Sequence, residues 1–208
     1  MSEFSDFSAM LKLSNNEGKQ MTNQNQSRHW GIGSLAMATA VVVGINGLYM
    51  LLVAIGNIFD YQTNFDFVNH VLRMDTTNFG QGEGVGLDPD VMGRAITNET
   101  LITIAYIGVI IWESIAALVL MFATFLWIKA SKSKLYFAAR KFSTIGLLMI
   151  IILFMGGFIT IGGEWFQMWR STDWNGLEPA FRNSVLAILG LVLVHMPSPQ
   201  WLTDEPVE

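Results

Sequence analysis

The 208-residue sequence contains no cysteine. Disulfides, thioether-linked haem, zinc–thiolate sites and iron–sulfur clusters are therefore excluded together. Charge is scarce as well: charged residues are 14% of the chain, against roughly 25% in an average soluble protein. Basic excess is missing, since the formal net charge is −5, and nothing supports nucleic-acid binding. The strand alternation of a membrane barrel is nowhere visible. No Ser–His–Asp constellation, phosphate loop, calcium loop or zinc motif occurs. His29 and His195 both fall near one membrane surface, but nothing else marks a haem pocket. No metal, cofactor or catalytic set is expected, so the chain reads as a non-enzyme.

What is present is apolar sequence in blocks. Apolar residues make up 51% of the chain and mean hydropathy is +0.41. A membrane-crossing helix needs about 20 mostly apolar residues. Residues 31–59, 142–163 and 183–203 carry no charge, and 100–128 carry one, Glu113. Open backbone is not tolerated in hydrocarbon, so these runs are expected to be helices. Pro197 and Pro199 stop the last, and Pro179 suits its first turn. The expectation is an all-α membrane protein with four spans at about 31–59, 100–128, 142–163 and 178–196. A polar arm (1–30) and an acidic tail (197–208) flank them.

Orientation follows from lysine and arginine in the short loops. The second connection holds Lys129, Lys132, Lys134, Arg140 and Lys141 and no acid, whereas the first holds seven acids against Arg73 and Arg94. Lys12, Lys19 and Arg28 precede the first span. Both termini are therefore expected in the cytoplasm of a bacterial cell, with the first and third loops outside its plasma membrane. Trp30, Trp127 and Trp201 fall at inner helix ends, and Trp165, Trp169 and Trp174 at an outer one, as an interfacial aromatic belt requires.

Glu113 is the one acid inside a span, roughly 20 Å from that helix's outer end at 1.5 Å per residue. Intramembrane acids cost free energy and face the bundle interior. Asn46 reaches a similar depth when counted along the first span, so an Asn46–Glu113 hydrogen bond is expected. Ala36, Ala40 and Gly44 repeat every fourth residue, a small-residue face for close helix approach in the bundle or in a partner. In the 40-residue first loop, Phe65, Phe67, Val68, Val71, Leu72 and Met74 have helical spacing and predict an amphipathic helix on the membrane surface or on the other helices. A glycine-rich turn at 81–86 follows. Asp88–Pro89 predicts a capped short helix through Arg94, and Asn98 a cap for the second span. Glu164 and Arg170, beside Trp165 and Trp169, are expected to pair within the third loop or with the first.

Asp60–Tyr61, Asn64–Phe65, His70–Val71–Leu72 and Met74–Asp75–Thr76–Thr77 resemble the first loop of domain-of-unknown-function family 2165, bacterial predicted small integral membrane proteins. The similarity resumes at Arg94–Ala95–Ile96, Trp112–Glu113, Gly162–Gly163–Glu164–Trp165–Phe166, Trp174–Asn175–Gly176 and Ala180–Phe181–Arg182. The resemblance implies four spans and no established activity. Its motifs gather in the outer loops, so His70, Arg73, Asp75, Arg94, Glu164, Trp165, Trp169, Arg170 and Arg182 are expected to build a composite outer surface. The functional expectation is a non-catalytic accessory or assembly subunit of a larger membrane complex, such as one of the respiratory chain, in contact with lipid and with other subunits. The alternative is a small proton-coupled transporter, or a lipid- or quinone-binding protein, using Glu113 and Glu164.

Overall fold

The computed structural model describes residues 32–130 and 133–198. The arm at 1–30, with His29 and Trp30, and nearly all of the tail, with Trp201, lie outside the described residues. Helix α1 spans Leu35–Phe59, α2 Tyr61–Arg73, α3 Pro89–Met92 and α4 Glu99–Lys129. Helix α5 (Ser133–Ile151) runs into a wide helix at Ile152–Trp165. A 3₁₀ turn at Met168–Arg170 and helix α6 (Leu177–His195) complete the chain. Four of these helices are long and apolar enough to cross a membrane, and no strand occurs among the described residues.

Helix starts follow side-chain capping. Ser34, Asp88 and Asn98 each accept a hydrogen bond from a backbone N–H of the following turn, at 3.2, 3.1 and 3.2 Å, satisfying donors that have no partner within the helix. The third membrane helix begins at Ser133, nine residues before its charge-free run. Arg140, which made this stretch resemble a loop, donates from Nε to the Val194 carbonyl at 3.1 Å. It thereby satisfies one of the orphan carbonyls that end α6.

The four long helices close a ring in which α1 packs on α4, α4 on α5, α5 on α6 and α6 on α1. Small residues set the α1–α4 seam. Ala36 and Ala40 are buried, and a Cβ on Gly47 would sit 2.9 Å from Leu120 Cβ. The small-residue face is thus consumed inside the bundle. Large aliphatic side chains such as Ile45, Leu118, Leu186 and Val192 stay exposed on the outside, as a lipid-facing surface requires.

Gly44 lies against Thr124 and Gly47 against Leu120. This antiparallel register brings the last turn of α1 level with Glu113. The first turns of α4 therefore rise beyond α1, and α2 folds over the gap. Tyr61 and Phe65 pack edge-on against Tyr106 of α4, at centroid distances of 4.8 and 5.9 Å. Phe67 stacks on Phe158 at 6.0 Å. The amphipathic helix rests on the other helices.

The wide helix was not anticipated. The Phe166 N–H donates to the Ile161 carbonyl, five residues back, as the backbone of a π-helix does, and the Thr160 hydroxyl likewise reaches back five residues to the Met155 carbonyl. Such π-helical turns are rare, usually single and frequently found at functional sites; this one runs 14 residues. The belt reading also needs correction at Trp127, which is completely buried, donates to Ser143 Oγ at 2.9 Å and packs edge-on against Tyr136. It is a core residue, because its ring faces α5. Trp165 and Trp169 are exposed, as a belt requires.

Candidate functional site: a cavity around Glu113

Glu113 is 3% exposed and accepts a 2.6 Å hydrogen bond at Oε2 from Asn57 Nδ2. The expected Asn46 partner is elsewhere. Asn46 Nδ2 donates to the Val42 carbonyl of its own helix at 2.9 Å. The register places Asn46 beside residues 121–122, about 12 Å along the helix from Glu113. Depth counted from each helix's own end misled because α4 overhangs α1. Asn57 sits three turns after Asn46 on the same face of α1, so the face was legible and the register was not.

Around this pair lies a cavity of about 350 Å³. Tyr49, Val53, Gly56 and Asn57 of α1 line it, with Tyr106, Val109 and Glu113 of α4. Asn64 and Phe67 of α2 form its roof, Phe154 and Phe158 of the wide helix one wall, and Pro179, Ala180 and Asn183 of α6 another. Oε1 of Glu113 has no hydrogen-bond partner among the described residues. A smaller apolar cavity of about 140 Å³ adjoins beneath α2, lined by Val71, Leu72, Gly157 and Gly162 among others. Both border the wide helix, which also packs on α6. The cavity residues Asn57, Tyr49, Tyr106 and Asn183 carry little signal in the sequence beyond being polar or amphipathic side chains in otherwise apolar helices, whereas Asn64 belongs to the first-loop motif.

The roof is held by joining the first and third loops. The Phe79 N–H donates to the Arg170 carbonyl at 2.9 Å, and Thr76 Oγ1 lies 2.9 Å from Ser171 Oγ. Arg94 donates to the Trp165 carbonyl at 3.3 Å and lies over its ring. Arg170 pairs with Asp88 of the first loop at 3.2 Å and stacks near Phe79 and Trp169. Together with the Asp90 N–H, it holds the Asp88 carboxyl below its ordinary pKa. His70 is stacked on Trp174 at 4.7 Å, and its Nδ1 lies 2.9 and 3.0 Å from the two Asp75 oxygens.

Three expected members stand apart. Arg73 Nε donates within its own helix to Asn69 Oδ1 at 2.7 Å. Arg182 pairs with Glu178 one turn away, both well exposed. Glu164 is exposed and lines none of the cavities described; Arg170, its expected partner, turns to Asp88 because the loops cross there. Glu113 and Glu164 do not form one site.

The sequence offered no metal-ligand spacing, yet the fold brings ligand atoms of His70, Asp75 and Glu83 within 4.8 Å of one another. His70 Nδ1 is already engaged by Asp75, and Glu83 is exposed. At the opposite end His195 Nε2 lies 3.0 Å from Thr144 Oγ1.

Compared with known families, residues 35–197 match the model described as predicted small integral membrane protein (DUF2165). Neither the curated proteins nor the solved structures contain a significant match.

Proposed function

The chain belongs to the DUF2165 family of predicted small integral membrane proteins, and on that premise we propose that it is a non-catalytic protein that binds a small ligand in the Glu113 cavity. The observation that carries this reading is a buried carboxyl with one oxygen unpartnered, opening into about 350 Å³ of space inside a membrane bundle. Buried charged and polar groups are costly unless partnered, so a carboxyl beside a void suits a ligand that completes its hydrogen bonding. Beyond the cavity, Ala117, Leu120 and Ala123 pack without exposure, which supports binding over passage through the membrane. Glu164 takes no part. The basic second connection supports cytoplasmic termini in a bacterial plasma membrane, which puts the cavity in the outward half of the bundle. Filling the space with Val109→Trp should abolish retention of a co-purified small molecule, read by native mass spectrometry. Equal retention by the filled variant would defeat the proposal.

A second reading, an accessory subunit of a larger complex such as a respiratory one, draws on the loop surface. Phe79, Trp165 and Trp169 are exposed there beside Arg94 and Arg170, residue types enriched at binding hot spots. Gentle detergent extraction should then yield a larger assembly; a chain running only as monomer or homodimer would count against it.

A further inference from the structure

We propose that the ligand of the Glu113 cavity is a lipid carrying an ammonium head group, and that it enters sideways from the bilayer between α1 and α6, past the Tyr49–Asn183 pair. The inference rests on the cavity being a binding site and adds the ligand's chemistry and route.

The chemistry follows from the lining. Glu113 is the one charged residue in it, and no Lys, Arg or His is present. Asn57 supplies one hydrogen bond to Oε2, which leaves a carboxyl with no cationic partner. An anionic head group would meet this acid unscreened, and a neutral one would leave it protonated and without an ionic partner. An ammonium completes the pair. The remaining walls suit the same group, because rings of Tyr49, Phe67, Tyr106, Phe154 and Phe158 all border the space. Aromatic faces attract cations through their quadrupole, most strongly when water is excluded.

The route follows from continuity. A groove of about 560 Å³ runs between α1 and α6, with aliphatic walls that include Val42, Ile45, Leu186 and Leu189. It shares two residues with the cavity, Tyr49 and Asn183. Asn183 Nδ2 donates to Tyr49 Oη at 2.8 Å across this join. That neutral hydrogen bond links two helices at the point where groove and cavity meet, and Tyr49 is 41% exposed. Side-chain rotation of Tyr49 and Asn183 opens the passage without moving a helix. An acyl chain then lies in the groove while the head group reaches Glu113.

The test uses the full chain in lipid nanodiscs with two photoreactive phospholipids of identical acyl chains, a phosphatidylethanolamine and a phosphatidylglycerol. The expected result is at least tenfold preferential labelling of α1 and α6 groove peptides by the ethanolamine lipid. Glu113→Gln should remove that preference while the melting transition shows a folded bundle. Tyr49→Phe keeps the ring and removes the gate bond, so lipid exchange should accelerate several-fold. Equal labelling by both lipids overturns the ammonium assignment. Unchanged exchange in Tyr49→Phe overturns the gate. If neither lipid labels but water-soluble ethanolamine is retained in a Glu113-dependent way, the lipid and its route are wrong while the binding cavity stands. If no probe distinguishes Glu113→Gln or Val109→Trp from the parent, the cavity reading fails as well.

Discussion

One seam, between α1 and α4, is packed in two ways along its length. Toward the second connection it is closed: Ala36, Val43, Ala117, Leu120 and Ala123 are wholly buried, and Gly47 leaves no room even for a methyl group. Toward the first and third loops the same two helices meet at the Asn57–Glu113 bond, and beside that bond the bundle opens into a cavity. Both halves are built from similarly apolar sequence. The difference is side-chain size and helix width. Alanine and glycine let backbones approach, since without a hydrophobic drive between helices in lipid, close packing holds them together. At the open end bulky aromatics of α1, α2, α4 and the wide helix line the walls. The closed half therefore supplies stability and the open half the space for the proposed site.

Substitutions can break this contrast in decreasing order of effect. Trp127→Ala removes a fully buried ring with its bond to Ser143, and should cost about 3–5 kcal/mol. Trp169→Ala, 47% exposed at the open end, should stay within about 0.5 kcal/mol. Denaturant titration of the two variants in the same micelle compares them directly. Gly47→Ala should destabilise by about 1–3 kcal/mol through overpacking. Gly108→Ala, with open space around its Cβ position, should instead stabilise by up to about 1 kcal/mol through helix propensity. Opposite signs for one chemical change are the sharpest form of the comparison. Asn57→Ala should cost about 0.6–1.7 kcal/mol, the range of interhelical hydrogen bonds in membranes, and a variant as stable as the parent would show that Glu113 does not need its partner.

The smallest effect concerns the roof. Asp88 has a depressed pKa in the folded chain, owing to the Asp90 N–H and then Arg170. A depressed carboxyl contributes stability that is present above its unfolded pKa of about 4 and is lost as pH falls through the lower folded value. Amide exchange at Phe79, whose N–H bonds the Arg170 carbonyl, should be unchanged between pH 7 and 5 after correction for intrinsic rates, and accelerate only below about pH 4. Asp88→Asn should remove that acid sensitivity.

Local signals were legible wherever one stretch of chain is enough to express them. The caps at Asp88 and Asn98 and the apolar stripe of α2 were all readable, because capping and amphipathicity act within one or two turns. From sequence the third helix starts late, at 142, because Arg140 and Lys141 resemble loop residues until the α6 terminus that Arg140 caps is in place. Asn57 was invisible for a related reason. Its face on α1 is set by the 3.6-residue repeat, but its partner depends on how far α4 slides past α1.

By itself the sequence determined that there are four apolar helices and that a single acid lies inside their apolar runs. Hydrocarbon length and backbone hydrogen bonding dictate these features from within each segment. Tertiary structure alone decided that Glu113 belongs to Asn57, that the third span widens, and that α2 roofs a cavity while Glu164 stays outside. Those outcomes depend on the relative slide of packed helices and on which side chains are small enough to let them approach, quantities that no single segment contains.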